Sequence, residues 1–100
     1  MPKPGKPPLN PTLKPFGDRV RARRLELGWS QETAADEIGV HWTHLGQVER
    51  GQRSARVENV LRFAAGLQST PGVMLDGLPA PAEYRPATPA FGGQSEVRGR

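Results

Sequence analysis

Ten of the eleven prolines sit at the two ends of this chain, and that distribution leaves one stretch able to fold. Residues 1–15 hold six prolines and no acidic side chain; residues 79–100 hold four more, with little apolar periodicity. Proline fixes φ and removes a backbone donor, so neither end suits a regular helix or sheet. Both read as flexible tails of partly polyproline character, a basic arm at 1–15 and a C-terminal tail at 79–100. The expected folding unit is residues 16–78. A core that short buries only about 60% of its unfolded surface and is marginal by itself. Small domains make up the difference with disulfides, a metal or self-association. The sequence has no cysteine, which removes disulfides and zinc-finger sites. A homodimer is the expected solution.

The net charge of +4 is unevenly placed. Lys3, Lys6 and Lys14 all lie in the N-terminal arm, while residues 16–78 carry eight arginines against eight acidic residues. A neutral folding unit gives no general argument for a nucleic-acid partner, so clustering matters instead. Arg19, Arg21, Arg23 and Arg24 crowd one segment, and Arg50, Arg53 and Arg56 another. The first three read as a solvated face. No apolar run is long enough to span a bilayer, and none follows the N-terminal lysines as a secretory signal requires. The expected location is cytoplasmic, at the nucleoid.

Apolar spacing predicts five short helices and no strand. Phe16, Val20, Arg24 and Leu27 form a narrow stripe over 16–27, stopped by Gly28. Ser30 is a good N-cap for a helix over 31–38 that buries Ala34, Ala35 and Ile38. Gly39 ends it where a positive φ is expected. A third helix over 42–50 turns Leu45 and Val48 inward, after a mediocre cap at His41 and with Gly51 as its stop. A fourth over 56–67 is expected to bury Val57, Val60, Leu61, Ala64 and Leu67. Thr70-Pro71 then reads as an N-cap and first helical residue of a fifth, through Met74 and Leu75; Val73, Met74, Leu75 and Leu78 find few obvious partners in a five-helix core and are the expected association surface.

Residues 31–50, QETAADEIGVHWTHLGQVER, carry the functional signal. Two short helices crossing steeply through a tight turn need a small residue at the approach, a residue free to take positive φ, and apolar inward positions. Ala35 and Gly39 meet the first two demands; Ala34, Ile38, Val40, Leu45 and Val48 meet the third. On these residues, with GDRVRARRLELGWSQETAADEIGV at 17–40 and VERGQR at 48–53, the chain resembles the Cro- and C1-type (XRE-like) helix-turn-helix regulators. The resemblance covers about 16–78. It implies an all-α, five-helix, lambda-repressor-like domain that inserts its third helix into the major groove of double-stranded DNA. It also implies dimers on paired half-sites and a transcriptional regulator, most simply a repressor. The sequence departs from the family at His41, where a serine-like cap is usual, and at Gln68, where glycine is usual. It departs also at Ala55, near a usual proline, and at Arg23, usually apolar.

Candidate DNA-binding residues follow. Gln31 resembles the family glutamine that contacts a backbone phosphate. Trp42, Thr43, His44, Gln47 and Arg50 are expected on the outward face of the third helix, with Gly46 letting the backbone approach DNA. Thr43 and Gln47 lie four apart, so both reach base edges, and glutamine pairs bidentately with adenine. Arg53, just beyond, is placed to reach phosphate or guanine. The bland alternatives stand beside these. Trp42 packs over the fourth helix or touches a thymine methyl. Trp29 is core. His41 and His44 have metal-ligand spacing but no further ligand, so no metal, cofactor or small-molecule ligand is expected. In the resembled family a Glu49–Arg24 pair is structural. Nothing resembles an enzyme's catalytic constellation. Two rival functions remain: an autoregulating antitoxin or restriction-modification controller, and a coactivator-like protein-interaction module of the same fold.

Overall fold

The computed structural model describes residues 7–9 and 11–80. Five helices follow in order: α1 (Leu13–Glu26), α2 (Gln31–Ile38), α3 (Trp42–Glu49), α4 (Val57–Gly66) and α5 (Pro71–Leu75). No strand occurs among the described residues, and none of their helices is long and apolar enough to cross a membrane.

Helix α1 starts three residues earlier than its apolar stripe suggests. Pro15 is its third residue, within the first turn, where backbone N–H groups have no intrahelical partner and proline costs little. Leu13, Lys14 and Pro15 therefore belong to the folded body rather than to an arm. Just before them, the Leu9 N–H donates to the Gly51 carbonyl at 2.9 Å, so this segment is fastened to the end of α3. The Thr12 hydroxyl donates to the Pro79 carbonyl at 2.6 Å, bringing the other end of the described chain alongside. The remaining tail expectations, for residues 1–6 and 81–100, fall outside the described residues.

The core joins Phe16 and Val20 of α1, Ala34, Ala35 and Ile38 of α2, and Leu45 and Val48 of α3 with Val60, Phe63 and Ala64 of α4, then Leu67 and Met74. Trp29 packs against it, half-buried. Two glycines set how closely the helices approach. A Cβ on Gly17 would lie 2.2 Å from the Val48 carbonyl oxygen, and one on Gly66 would lie 2.6 Å from the Ile38 Cα. Neither gap admits a methyl group, so α1 against α3 and α4 against α2 are backbone-close contacts.

Three expectations are corrected. Helix α4 is rotated from its expected phase: Phe63 is fully buried, while Val57 is 75% and Leu61 51% exposed. Met74, expected on an association surface, is core at 1% exposure, and its neighbours Val73 and Leu75 are the exposed ones. Arg19 and Arg23 are not a solvated face. Arg23 donates to the Leu67 and Gln68 carbonyls at the end of α4, at 2.9 and 3.1 Å. Arg19 donates to the Val73 and Met74 carbonyls at the end of α5, at 3.1 and 3.0 Å. Helix C-termini leave carbonyls unpaired and carry partial negative charge, so the two guanidinium groups tie α1 to both ends.

Candidate nucleic-acid interface

The α2–α3 seam is built by its caps. The Ser30 hydroxyl accepts from the Thr33 N–H at 3.1 Å and starts α2. Gly39, at φ 91°, ends it in the left-handed region that the turn requires. His41 proves a working cap: its Nδ1 accepts from the Thr43 N–H at 3.1 Å and pairs with the Thr43 hydroxyl. An accepting Nδ1 places the ring proton on Nε2.

A buried ion pair fixes the inner side of α3. Arg24 reaches from α1 and meets Glu49 through two bonds, Nε to Oε2 at 2.6 Å and Nη2 to Oε1 at 3.0 Å. The side chains are only 9% and 3% exposed. Arg24 also donates to the Trp29 carbonyl, and Gln31 Nε2 donates to Glu49 Oε1 at 3.1 Å. Both carboxylate oxygens are thereby satisfied, which makes so buried a charge tolerable. One polar network joins helices α1, α2 and α3, and the polar interruption in the α1 stripe is its anchor. The Gln31–Glu49 bond was not legible in the sequence, because residues 18 apart meet only once the seam is closed.

The sequence-proposed residues divide into three groups. Trp42 and Thr43 are exposed at the start of α3; the indole is 49% exposed and stacks on His41, ring centroids 5.8 Å apart. Gln47, Arg50 and Arg53 form the polar outer edge. Arg53 Nη1 donates to Gln47 Oε1 at 2.9 Å, and Arg50 Nε donates to Gln52 Oε1 at 3.1 Å. Gln31 is half-buried beside them.

His44 and Gly46 depart from the expected outward face. The His44 ring tilts against Phe63, centroids 6.2 Å apart, and its Nε2 is buried without a hydrogen-bond partner. Burial, and then the charge of Arg53, hold its pKa below the ordinary histidine value. Gly46 is buried. A Cβ there would lie 3.1 Å from Arg50 Nη1 and 3.7 Å from Gln31 Nε2, so its missing side chain makes room for those two.

Beside this edge lies an open cleft of about 490 Å³, lined by Lys14, Arg21, Gln31, Glu49, Arg50 and Gln52, with Asp18 and Pro8. Lys14 pairs with Asp18, and Glu49 is already matched by Arg24. Arg21 and Arg50 therefore leave the cleft with positive character, at the N-terminus of α2, whose first amides also favour anions. Among the described residues no group of three or more His, Cys, Asp or Glu side chains could hold a metal ion.

Residues 20–73 match the family model HTH_3, described as helix-turn-helix. This chain belongs to that helix-turn-helix family. Among its relatives, the control protein C.BamHI of Bacillus amyloliquefaciens is 36% identical over 62 residues, 61% of this chain and 76% of that protein. The restriction-modification controller C.AhdI of Aeromonas hydrophila superposes with a TM-score of 0.60 at 40% identity, covering 62% of this chain and 94% of that one. The c2 repressor of Salmonella phage P22, in complex with a synthetic operator, superposes with a TM-score of 0.58 at 34% identity, covering 62% of this chain and 94% of that solved chain; the match spans 29% of the whole repressor's length. The matched family and the five-helix fold agree with the sequence-based resemblance.

Proposed function

We propose that this helix-turn-helix DNA-binding regulator places α3 in the major groove of an operator, as a symmetric homodimer, and represses transcription there. The observation that carries the reading is the division of α3 into two faces. Leu45, Val48 and Glu49 are locked into the core and the buried network, while Trp42, Thr43, Gln47 and Arg50 remain at the surface. An eight-residue helix so fixed, with polar side chains projecting from it, has the dimensions the major groove admits. Thr43 and Gln47 then read base edges. Gln31, Arg50 and the cationic cleft take the flanking phosphates, with Lys14 the one N-terminal lysine within the described residues. Such a regulator acts at the nucleoid. The likeness to C.AhdI over 94% of that chain favours a second reading in which the regulated operon encodes a restriction-modification system.

Selection of bound sequences from random duplexes tests the proposal. A symmetric site with half-sites about one helical turn apart is expected, with affinity falling linearly in log salt. Gln47→Ala should cost roughly 1–3 kcal/mol on the selected site and little on random duplex. Equal losses on both would remove Gln47 from base readout, and salt-insensitive retention would remove DNA as the partner.

A further inference from the structure

Arg53 lies beyond the end of α3, yet its guanidinium returns to that helix and donates to the Gln47 side-chain oxygen at 2.9 Å. The turn after α3 makes the return possible. The Gly51 N–H donates to the Val48 carbonyl and the Gln52 N–H to the Gln47 carbonyl, at 3.0 and 2.8 Å, with Gly51 at φ 73°. This is a Schellman motif, and it folds the following residues back along the helix. The guanidinium charge is also felt at His44, one turn before Gln47, which places it alongside that edge of α3.

A guanidinium has donors and no acceptor, so the Gln47 amide must turn its oxygen toward Arg53 and its NH₂ away. A glutamine that pairs bidentately with adenine needs both ends free: the NH₂ donates to N7 while the oxygen accepts from N6. Here the oxygen is already held, and a second N–H donor approaching it meets the guanidinium charge. One of the oxygen's two acceptor lone pairs is taken by Arg53 and the other lies beside its charge, so the pair offers mainly donors, namely the amide NH₂ and the remaining guanidinium N–H groups. Guanine presents two acceptors, N7 and O6, on its major-groove edge, whereas adenine presents one acceptor and one donor. We infer that Arg53 determines specificity by fixing Gln47 as a donor, giving α3 a preference for guanine over adenine at the base pair facing Gln47. The inference rests on α3 entering the major groove, and it replaces the adenine pairing that glutamine alone suggests.

The test is selection from random duplexes with the full chain and two variants, Arg53→Met and Gln47→Met, each checked for its melting transition. The natural chain should enrich guanine at one position of each half-site. Changing that guanine to adenine should weaken binding about 5- to 150-fold. Arg53→Met frees the amide oxygen and should move the preference at that position toward adenine, with the other positions unchanged. Gln47→Met should erase the preference there and so identify the position. Adenine enrichment by the natural chain at the position that Gln47→Met erases overturns the inference, and a natural half-site with no preferred guanine at any position overturns it whether or not the variants fold. So does an Arg53→Met variant that loses affinity equally for every base there, as a simple phosphate contact would. A natural chain that enriches no sequence overturns the major-groove reading itself, whereas a defined site without the guanine preference overturns only the role of Arg53.

Discussion

Helices α3 and α4 each bury an apolar strip, yet their outer faces differ in kind. Outside α3 stand Thr43, Gln47 and Arg50, joined to His41, Arg53 and Gln52 by hydrogen bonds. Outside α4 stand Val57 and Leu61, with Val73 and Leu75 exposed on α5. A polar, mutually braced edge suits a wet, charged partner that is recognised by hydrogen bonds. Exposed valine and leucine suit burial against another apolar surface. One small domain thus carries two chemically distinct kinds of surface, the first suited to the proposed DNA contact and the second to the proposed homodimer. The contrast extends inward: α3 is held by a buried ion pair, α4 by hydrocarbon packing and by Arg23 at its end.

The largest expected effect comes from breaking the ionic side. Arg24→Met leaves the Glu49 carboxylate buried with only Gln31 donating, and should cost about 3–5 kcal/mol. Urea unfolding measures it; a loss under about 1 kcal/mol would mean that the pair contributes no more than a surface one. Next, Leu61→Asp with Leu75→Asp probes the apolar surface. Both residues are exposed, so the monomer's melting should change little, while sedimentation should show monomers and operator affinity should drop at least tenfold. Dimers that survive both substitutions would place the association surface elsewhere. Met74→Asp is no such probe, since it would place a charge in the core.

A smaller effect sharpens the comparison at the helix ends. Both α3 and α4 close with the same bonds: the Gln68 N–H donates to the Ala65 carbonyl, and the Ser69 N–H to that of Ala64. Helix α3 uses Gly51 at the left-handed residue, whereas α4 uses Gln68 at φ 56°. An L side chain in that conformation costs about 1 kcal/mol. Gln68→Gly should relieve it and raise the melting temperature by a few degrees; a lower melting temperature would show that the side chain repays its strain. Smallest is a pH effect at His44. Its folded pKa lies below 6.5, so the unfolded chain binds the proton more readily. Its contribution to stability is constant above about pH 6.5 and declines as pH falls from there toward the folded value. His44→Phe should flatten this part of the melting profile between pH 7 and 5, and an unchanged slope would assign the acid sensitivity to other groups.

Local sequence determined much of this protein. Ser30, Gly39, Gly51, Thr70 and Pro71 act within a few residues of themselves through caps and turns, so α2, α3 and α5 could be placed from sequence to within a residue or so. The helix-turn-helix spacing was legible for the same reason. Tertiary structure decided what depends on residues far apart in the chain. In α4 the sequence offers two overlapping stripes, Val57, Val60, Leu61 and Ala64 or Val60, Phe63, Ala64 and Leu67, both with helical spacing. Packing chose the second, because Phe63 fills the space beside Phe16 and His44 and Gly66 lies on the Ile38 backbone. Arg19, Arg23 and Arg24 are alike in sequence; only the positions of the α4 and α5 carbonyls and of Glu49 give each its task. Gln47 was legible from its spacing as a residue of the outer edge of α3. Which end of its amide is free depends on Arg53, six residues away, and helical spacing carries no information about a side chain that returns from beyond the helix.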